Sequence, residues 1–187
     1  LEGTQREQSE TFGSLLPMFI LALFIIYALL AIPLRSYGQP LIIMSVIPFA
    51  FVGSVWGHII MKILGLLDSM AIMSIMGIVA ASGVVVNSSL VLVHAVNHRR
   101  ADGMSVSDAV IEAAVSRCRP ILLTSLTTFA GLTPLLLNQS VQAGVLIPMA
   151  TSLAWGVMLA TVVTLLVVPA GYLILEDAGA RDSAPIA

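Results

Sequence analysis

Asn87, Ser88, Ser89 and His94 stand among aliphatics in Ser69–His98, a thirty-residue run without a formal charge. Amides and hydroxyls can hydrogen-bond a carboxylate, and an imidazole can take up a proton, so this run is where proton or hydrogen-bond chemistry would sit. About 100° per residue around a helix puts Ala80, Gly83, Asn87, Val91 and His94 on one stripe. Small and polar groups on an otherwise apolar helix should face protein, because lipid cannot satisfy an amide. Thr124, Thr128 and Gly131 share a face in the same way. Thr127 and Thr128 are expected to bond back to their own helix. Thr124, one turn past Pro120, is the better candidate to meet Asn87 at a buried helix contact.

Other chemistry has little to work with. All ten carboxylates lie outside the apolar runs, so paired acids cannot be assembled within them. Neither a phosphate loop nor a metal-ligand cluster is present, and Ser88-Ser89 has no nearby base; the chain is read as a non-enzyme without cofactor or metal. His58 and His94 sit toward the ends of apolar runs, where snorkelling or a helix–helix hydrogen bond accounts for them. The single cysteine, Cys118, excludes an internal disulfide. The net charge of −2 offers no field for nucleic acid.

The elements that position these groups follow from hydropathy. The chain has 187 residues, 58% hydrophobic and 10% charged, with a mean hydropathy of +1.04. A soluble domain carries about 25% charged residues, so the class is an all-α integral membrane protein with the lipid bilayer as its solvent. As a helix, Ser69–His98 would span about 45 Å against a hydrocarbon core of roughly 30 Å. It is read as the centre of the bundle. Residues 1–10 are a polar lead-in, and 11–175 form the transmembrane domain. Five spans are expected at 11–34, 41–61, 69–98, 120–137 and 145–175, with a kink at Pro48 in the second. The break between the last two falls in Asn138–Gly144. Ser105-Val-Ser-Asp108 has the spacing of a capping box and opens a short amphipathic surface helix over 105–116. Residues 176–187 are a polar tail.

Five spans put the termini on opposite sides. Arg35, Arg99, Arg100, Arg117, Arg119 and Arg181 fall on one side, Arg6 and Lys62 on the other. The positive-inside rule then sets the N-terminus outside and the surface helix and C-terminus in the cytoplasm.

A family resemblance rests on specific strings. Asp102-Gly-Met-Ser, Ala109-Val-Ile-Glu-Ala-Ala, Arg117-Cys-Arg-Pro-Ile-Leu-Leu-Thr-Ser125 and Gly131-Leu-Thr-Pro134 resemble the cytoplasmic loop and penultimate helix of resistance-nodulation-division (RND) efflux transporters. Gly83-Val-Val-Val-Asn-Ser-Ser-Leu-Val-Leu-Val93 is similar to the helix before it. The resemblance runs from Thr11 to about Glu176. It implies the last five, eight to twelve, of twelve transmembrane helices in a proton-driven homotrimer of the bacterial inner membrane. It further implies an N-terminal part with large periplasmic domains, a periplasmic adaptor and an outer-membrane channel. Thr124 matches a threonine that faces two helix-four aspartates, and Arg117 an arginine tied to the same relay. The resemblance sets Asn87 where efflux members have a lysine. Asn87, Thr124 and Arg117 are thus the relay candidates, with Ser88, His94 and Thr128 as secondary polar ones.

The sequence therefore reads as the C-terminal transmembrane part of an exporter of drugs or other amphiphilic solutes, incomplete for transport alone. The rival readings are an RND relative serving protein or lipid export, and a non-transporting scaffold that only packs helices.

Overall fold

The computed structural model describes residues 2–67, 72–138 and 140–182. Among them the chain is helical almost throughout, in the order α1 Glu2–Leu34, α2 Gly38–Met44, α3 Ile47–Ile63, α4 Ile72–Ala101, α5 Val106–Leu136, α6 Val141–Gly144 and α7 Ile147–Asp182. It is an all-helical membrane bundle. The first three residues of the expected third span, Ser69–Ala71, and the end of the tail, 183–187, lie outside the described residues.

Two compact units divide the chain, Leu1–Leu41 and Ile42–Ala187. In the first, the residues read as a polar lead-in already form the opening turns of α1. The helix ends where Arg35 takes a positive φ of 48°, and the Tyr27 hydroxyl donates to the Tyr37 carbonyl at 3.1 Å across that turn.

In the second unit the helix ends follow from local chemistry. Pro48 does not kink a continuous span. Its ring would clash with the carbonyl of Met44, so α2 stops there and α3 restarts with Pro48 in its first turn. The C-termini of α3 and α4 each close on a glycine with positive φ, Gly65 at 69° and Gly103 at 89°. At both, the glycine's own N–H and the next one reach back to the last turn, Gly65 to Lys62 and Leu66 to Met61, Gly103 to Arg100 and Met104 to Arg99. Ser105 caps α5: its Oγ accepts from the Asp108 N–H at 3.2 Å and donates to Asp108 Oδ2 at 2.7 Å. The expected surface helix and fourth span are one continuous helix, Val106–Leu136, running through Pro120 and Pro134. Four helical segments are long and apolar enough to cross a membrane among the described residues: Pro17–Leu34, Gly38–Ile63, Ile72–Ala101 and Ile147–Asp177. In α5 the uncharged run from Pro120 to the helix end at Leu136 follows directly on Arg117 and Arg119.

The centre of this unit is α7, not α4. Helices α3, α4 and α5 all pack on α7 and bury its Thr151, Ala154, Val157, Ala160 and Val168. Small residues make this approach possible. A Cβ on Gly53 would lie 2.7 Å from the Trp155 carbonyl, and one on Gly57 would fall inside the Trp155 side chain. On α4, a Cβ on Gly77 would meet the Met149 carbonyl and come within 2.7 Å of Ser152 Cβ. Trp155 also meets Phe129 of α5 edge-on, with ring centroids 5.2 Å apart.

Polar side chains pin the helices at both ends. The Ser54 hydroxyl donates to the Ser152 carbonyl at 3.0 Å. His58 is buried, with Nδ1 2.9 Å from the Ser54 carbonyl and Nε2 2.9 Å from Ser74 Oγ on α4. A carbonyl can only accept, so Nδ1 carries a proton and donates to Ser54 O, and the Nε2–Ser74 contact ties the same ring to α4. At the other end, the buried Tyr172 hydroxyl donates to Asn97 Oδ1 at 2.7 Å. Beside it Arg100 pairs with Glu176, while Arg99 pairs with Glu112 at 3.4 Å and donates to Ser116 Oγ at 2.8 Å. Replacing His58 by leucine should lower the thermal midpoint in detergent by the equivalent of roughly 1 kcal/mol, the scale of one hydrogen bond between membrane helices. His58→Gln, able to keep one of the two bonds, should fall between, and circular dichroism melts of the three proteins measure the order.

Candidate functional site

The stripe singled out on α4 points away from the helices of this unit. Ala80, Gly83, Asn87, Val91 and His94 are all exposed, whereas Ser82, Val85, Val86, Ser89, Leu92, Val93 and Val96 are buried. Gly83 has open space where a Cβ would stand. The stripe is right in its periodicity, but the partner it needs is not one of these helices. Asn87 bonds to no described residue, and Ser88, half-buried, donates to its own helix at the Val84 carbonyl, 3.1 Å away.

The hydroxyls of α5 behave alike in one respect and differ in another. Thr124 is exposed and donates to Ile121 O at 2.8 Å and Pro120 O at 3.2 Å. Thr127 and Thr128 both reach the Thr124 carbonyl, at 2.9 and 2.8 Å. All three threonines thus bond back to the helix, and Thr124 makes no hydrogen bond with Asn87. Ser125 is buried and is the exception. Its Oγ lies 2.5 Å from Thr161 Oγ1 on α7, besides contacting Ile121 O at 3.2 Å. Arg117 is exposed one turn before Thr124's first acceptor and is paired with no described residue.

Asn87 and His94 on α4 and Thr124 and Arg117 on α5 are thus exposed polar groups: an amide, an imidazole, a threonine hydroxyl bonded only to its own helix, and a guanidinium. Such groups can accept or donate hydrogen bonds to acids brought by another segment. They cannot store a proton at a carboxylate of their own, and no group of three metal-ligating side chains occurs among the described residues. Two features went unread in the sequence. Gly53-Ser-Val-Trp-Gly57 is a GxxxG pattern in an apolar helix, a known signal for close approach. Ser125 lies one residue from Thr124, about 100° around the helix, which is enough to separate an inward from an outward hydroxyl.

The family model describing AcrB/AcrD/AcrF proteins matches residues 1–176. The chain belongs to the AcrB/AcrD/AcrF family. This agrees with the RND resemblance of the Arg117–Ser125 and Gly83–Val93 strings. Among similar proteins, the nickel-cobalt-cadmium resistance protein NccA of Alcaligenes xylosoxydans xylosoxydans is 34% identical over 150 residues. The nickel and cobalt resistance protein CnrA of Cupriavidus metallidurans is 35% identical over 150 residues. Each alignment covers 80% of this AcrB/AcrD/AcrF-family chain and 14% of the relative. The fold is similar to the crystal structure of a heavy metal efflux pump, with a TM-score of 0.80 at 26% identity, over 92% of this chain and 17% of the pump. The AcrB/AcrD/AcrF-family chain described here therefore spans about a seventh of the length of these curated relatives.

Proposed function

We propose that the chain supplies the last transmembrane helices of a proton-driven RND exporter and forms one wall of its proton pathway. The observation that carries this is the exposure of Asn87 and His94 on α4 together with that of Thr124 and Arg117 on α5. Lipid leaves an amide unsatisfied, so these groups call for a protein partner, and the relatives' greater length provides chain for one. In this reading the N-terminal part of the transporter brings the proton-binding carboxylates to Thr124 and Arg117, with Ser88 and Thr128 as supporting hydroxyls. The chain is a transporter segment and not an enzyme. A homotrimer, an adaptor and an outer-membrane channel complete the assembly by family analogy.

For the cargo, nothing in these helices selects a ligand. The names of NccA and CnrA point to divalent metal cations, ahead of the drugs or amphiphilic solutes that the RND resemblance alone suggests. Cells expressing the complete transporter should hold less cobalt(II) than control cells, and a protonophore should abolish the difference. Unchanged cobalt(II), with reduced ethidium, would return the cargo to the drug class. No exported solute at all would favour the scaffold.

The arginine distribution sets the orientation in the inner membrane, with the turn after α4 cytoplasmic and the turn after α5 periplasmic. In a Cys118→Ser background, Asn138→Cys should react with an impermeant maleimide in intact spheroplasts. Asp102→Cys should react only after permeabilisation. The reverse pattern would invert the topology.

A further inference from the structure

Thr124 and Ser125 are neighbours with opposite surroundings, and the contrast has a consequence for how the proton pathway is held. Around Pro120, α5 is a helix weakened in a particular way. Proline offers no N–H to the turn before it, and hydroxyls back-bonded to carbonyls favour bending. Thr124, Ser125, Thr127 and Thr128 all bond to carbonyls between Pro120 and Thr124. Of these hydroxyls, only that of Ser125 also reaches another helix, at Thr161 of α7, 2.5 Å away. Both residues are buried, at 4% and 2% exposure. The carbonyl of Ile121 accepts from Thr124 at 2.8 Å and from Ser125 at 3.2 Å, so one carbonyl joins the outward hydroxyl to the inward pair.

We propose that the Ser125–Thr161 hydroxyl pair is a positioning latch: it fixes the rotation of α5 beyond Pro120 on the central helix and so aims Thr124 at the proton-binding acids. This rests on the reading of Thr124 as part of the proton pathway. With the latch, a turn of α5 about its axis breaks a buried hydrogen bond. Without it, that hydrogen bond no longer resists the rotation, and the Thr124 hydroxyl moves off its target. A hydrogen bond to a carboxylate favours the ionised form, so losing it raises the proton affinity of that acid. The pair itself does not titrate. The exposed titratable or charged groups on α4 and α5 are His94 and His98 on α4 and Asp108, Glu112, Arg117 and Arg119 on α5, with Arg99 and Arg100 half-buried at the end of α4, and α7 carries no charged side chain from Ile147 to Leu175.

The test uses the complete transporter, with cobalt(II) export, or ethidium if cobalt(II) is not carried, measured across a pH series. Thr161→Val keeps the side-chain shape and removes the hydroxyl. It should lower the maximal rate about threefold, up to about twentyfold, the range one such bond spans between membrane helices. The KM for the exported solute should stay unchanged and the pH midpoint should move upward. Ser125→Ala should do the same, and Thr161→Ser should restore both rate and midpoint. Combining Thr161→Val with Thr124→Val should add nothing to Thr124→Val alone. If Thr124→Val stops export while Thr161→Val and Ser125→Ala keep wild-type rate and midpoint, the latch is refuted and the pathway stands. If Thr124→Val exports normally, the pathway reading falls, and the latch with it.

Discussion

Thr124→Val in the complete transporter should abolish measurable export while membrane levels of the protein stay at wild type. Valine matches threonine in shape, and the lost bonds to Pro120 O and Ile121 O are local to a helix whose backbone is already paired. Exposure of the side chain in this unit means that no packing among α3, α4, α5 and α7 depends on it. What valine removes, in the proposed reading, is the hydroxyl offered to the acids of the N-terminal part. A positioned proton-transfer partner commonly contributes about 10²–10⁴-fold in rate, which takes export below detection in an accumulation assay. Matched immunoblots and cobalt(II) or ethidium accumulation decide it. Normal export by the valine variant would reduce Thr124 to a helix-bending residue.

The second large effect concerns packing. Gly57→Leu should eliminate folded protein, because its Cβ alone would enter the Trp155 side chain and the remaining atoms have nowhere to go. Gly77→Leu should be equally severe, since the contact there is with the Met149 carbonyl, backbone that cannot rotate aside. Overpacking ordinarily costs about 1–3 kcal/mol, and two helices forced apart along their length cost more. Gly83→Leu, by contrast, meets open space and should leave the yield of this bundle unchanged in detergent. In the complete transporter the same change should reduce export if, as proposed, that face receives the N-terminal part. Size-exclusion profiles of the three variants give the order, and a collapse of Gly83→Leu with survival of Gly57→Leu would invert the assignment of faces.

How much of this was legible in the sequence differs from one feature to the next. Charge and hydropathy are local quantities, so the membrane class and the polar interruptions around Asp102 and Asn138 could be read directly. The 100° count also grouped Gly83, Asn87 and His94 correctly on one stripe. It could not say where the stripe's partner lies, since periodicity gives an angle about one axis and no neighbour. Val85, on the opposite side, turned out to be the buried position. Length and richness in polar groups suggested α4 as the centre, but centrality is a sum over pairs of helices, and α7 holds it through Trp155, Gly156 and Thr161. The short turn at Ser105 hid a different fact. No residue between Ser105 and Pro120 breaks the helix, so the surface segment and the following span are continuous. Proline within a helix was the ambiguous sign: Pro48 starts one, whereas Pro120 sits inside one.

The position of the hub at the end of the described helices bears on how the protein is made. A ribosome finishes α3, α4 and α5 before it begins α7. During that interval Gly57, Gly77 and Ser125 lack the surface they close on and Ser54 lacks its acceptor on Ser152, whereas His58 already has Ser54 and Ser74. From Ala101 to Asp182, at roughly 5–20 residues per second, the wait for α4 is about 4–16 seconds. The contacts of α4 with α3 and α5 can form as those helices leave the translocon, whereas the faces that close on α7 stay uncovered until it arrives, which makes docking on the hub a late step. A premature stop early in α7 would leave α3, α4 and α5 without the helix that covers Gly57, Gly77 and Ser125, and the cell's membrane proteases would meet that uncovered state.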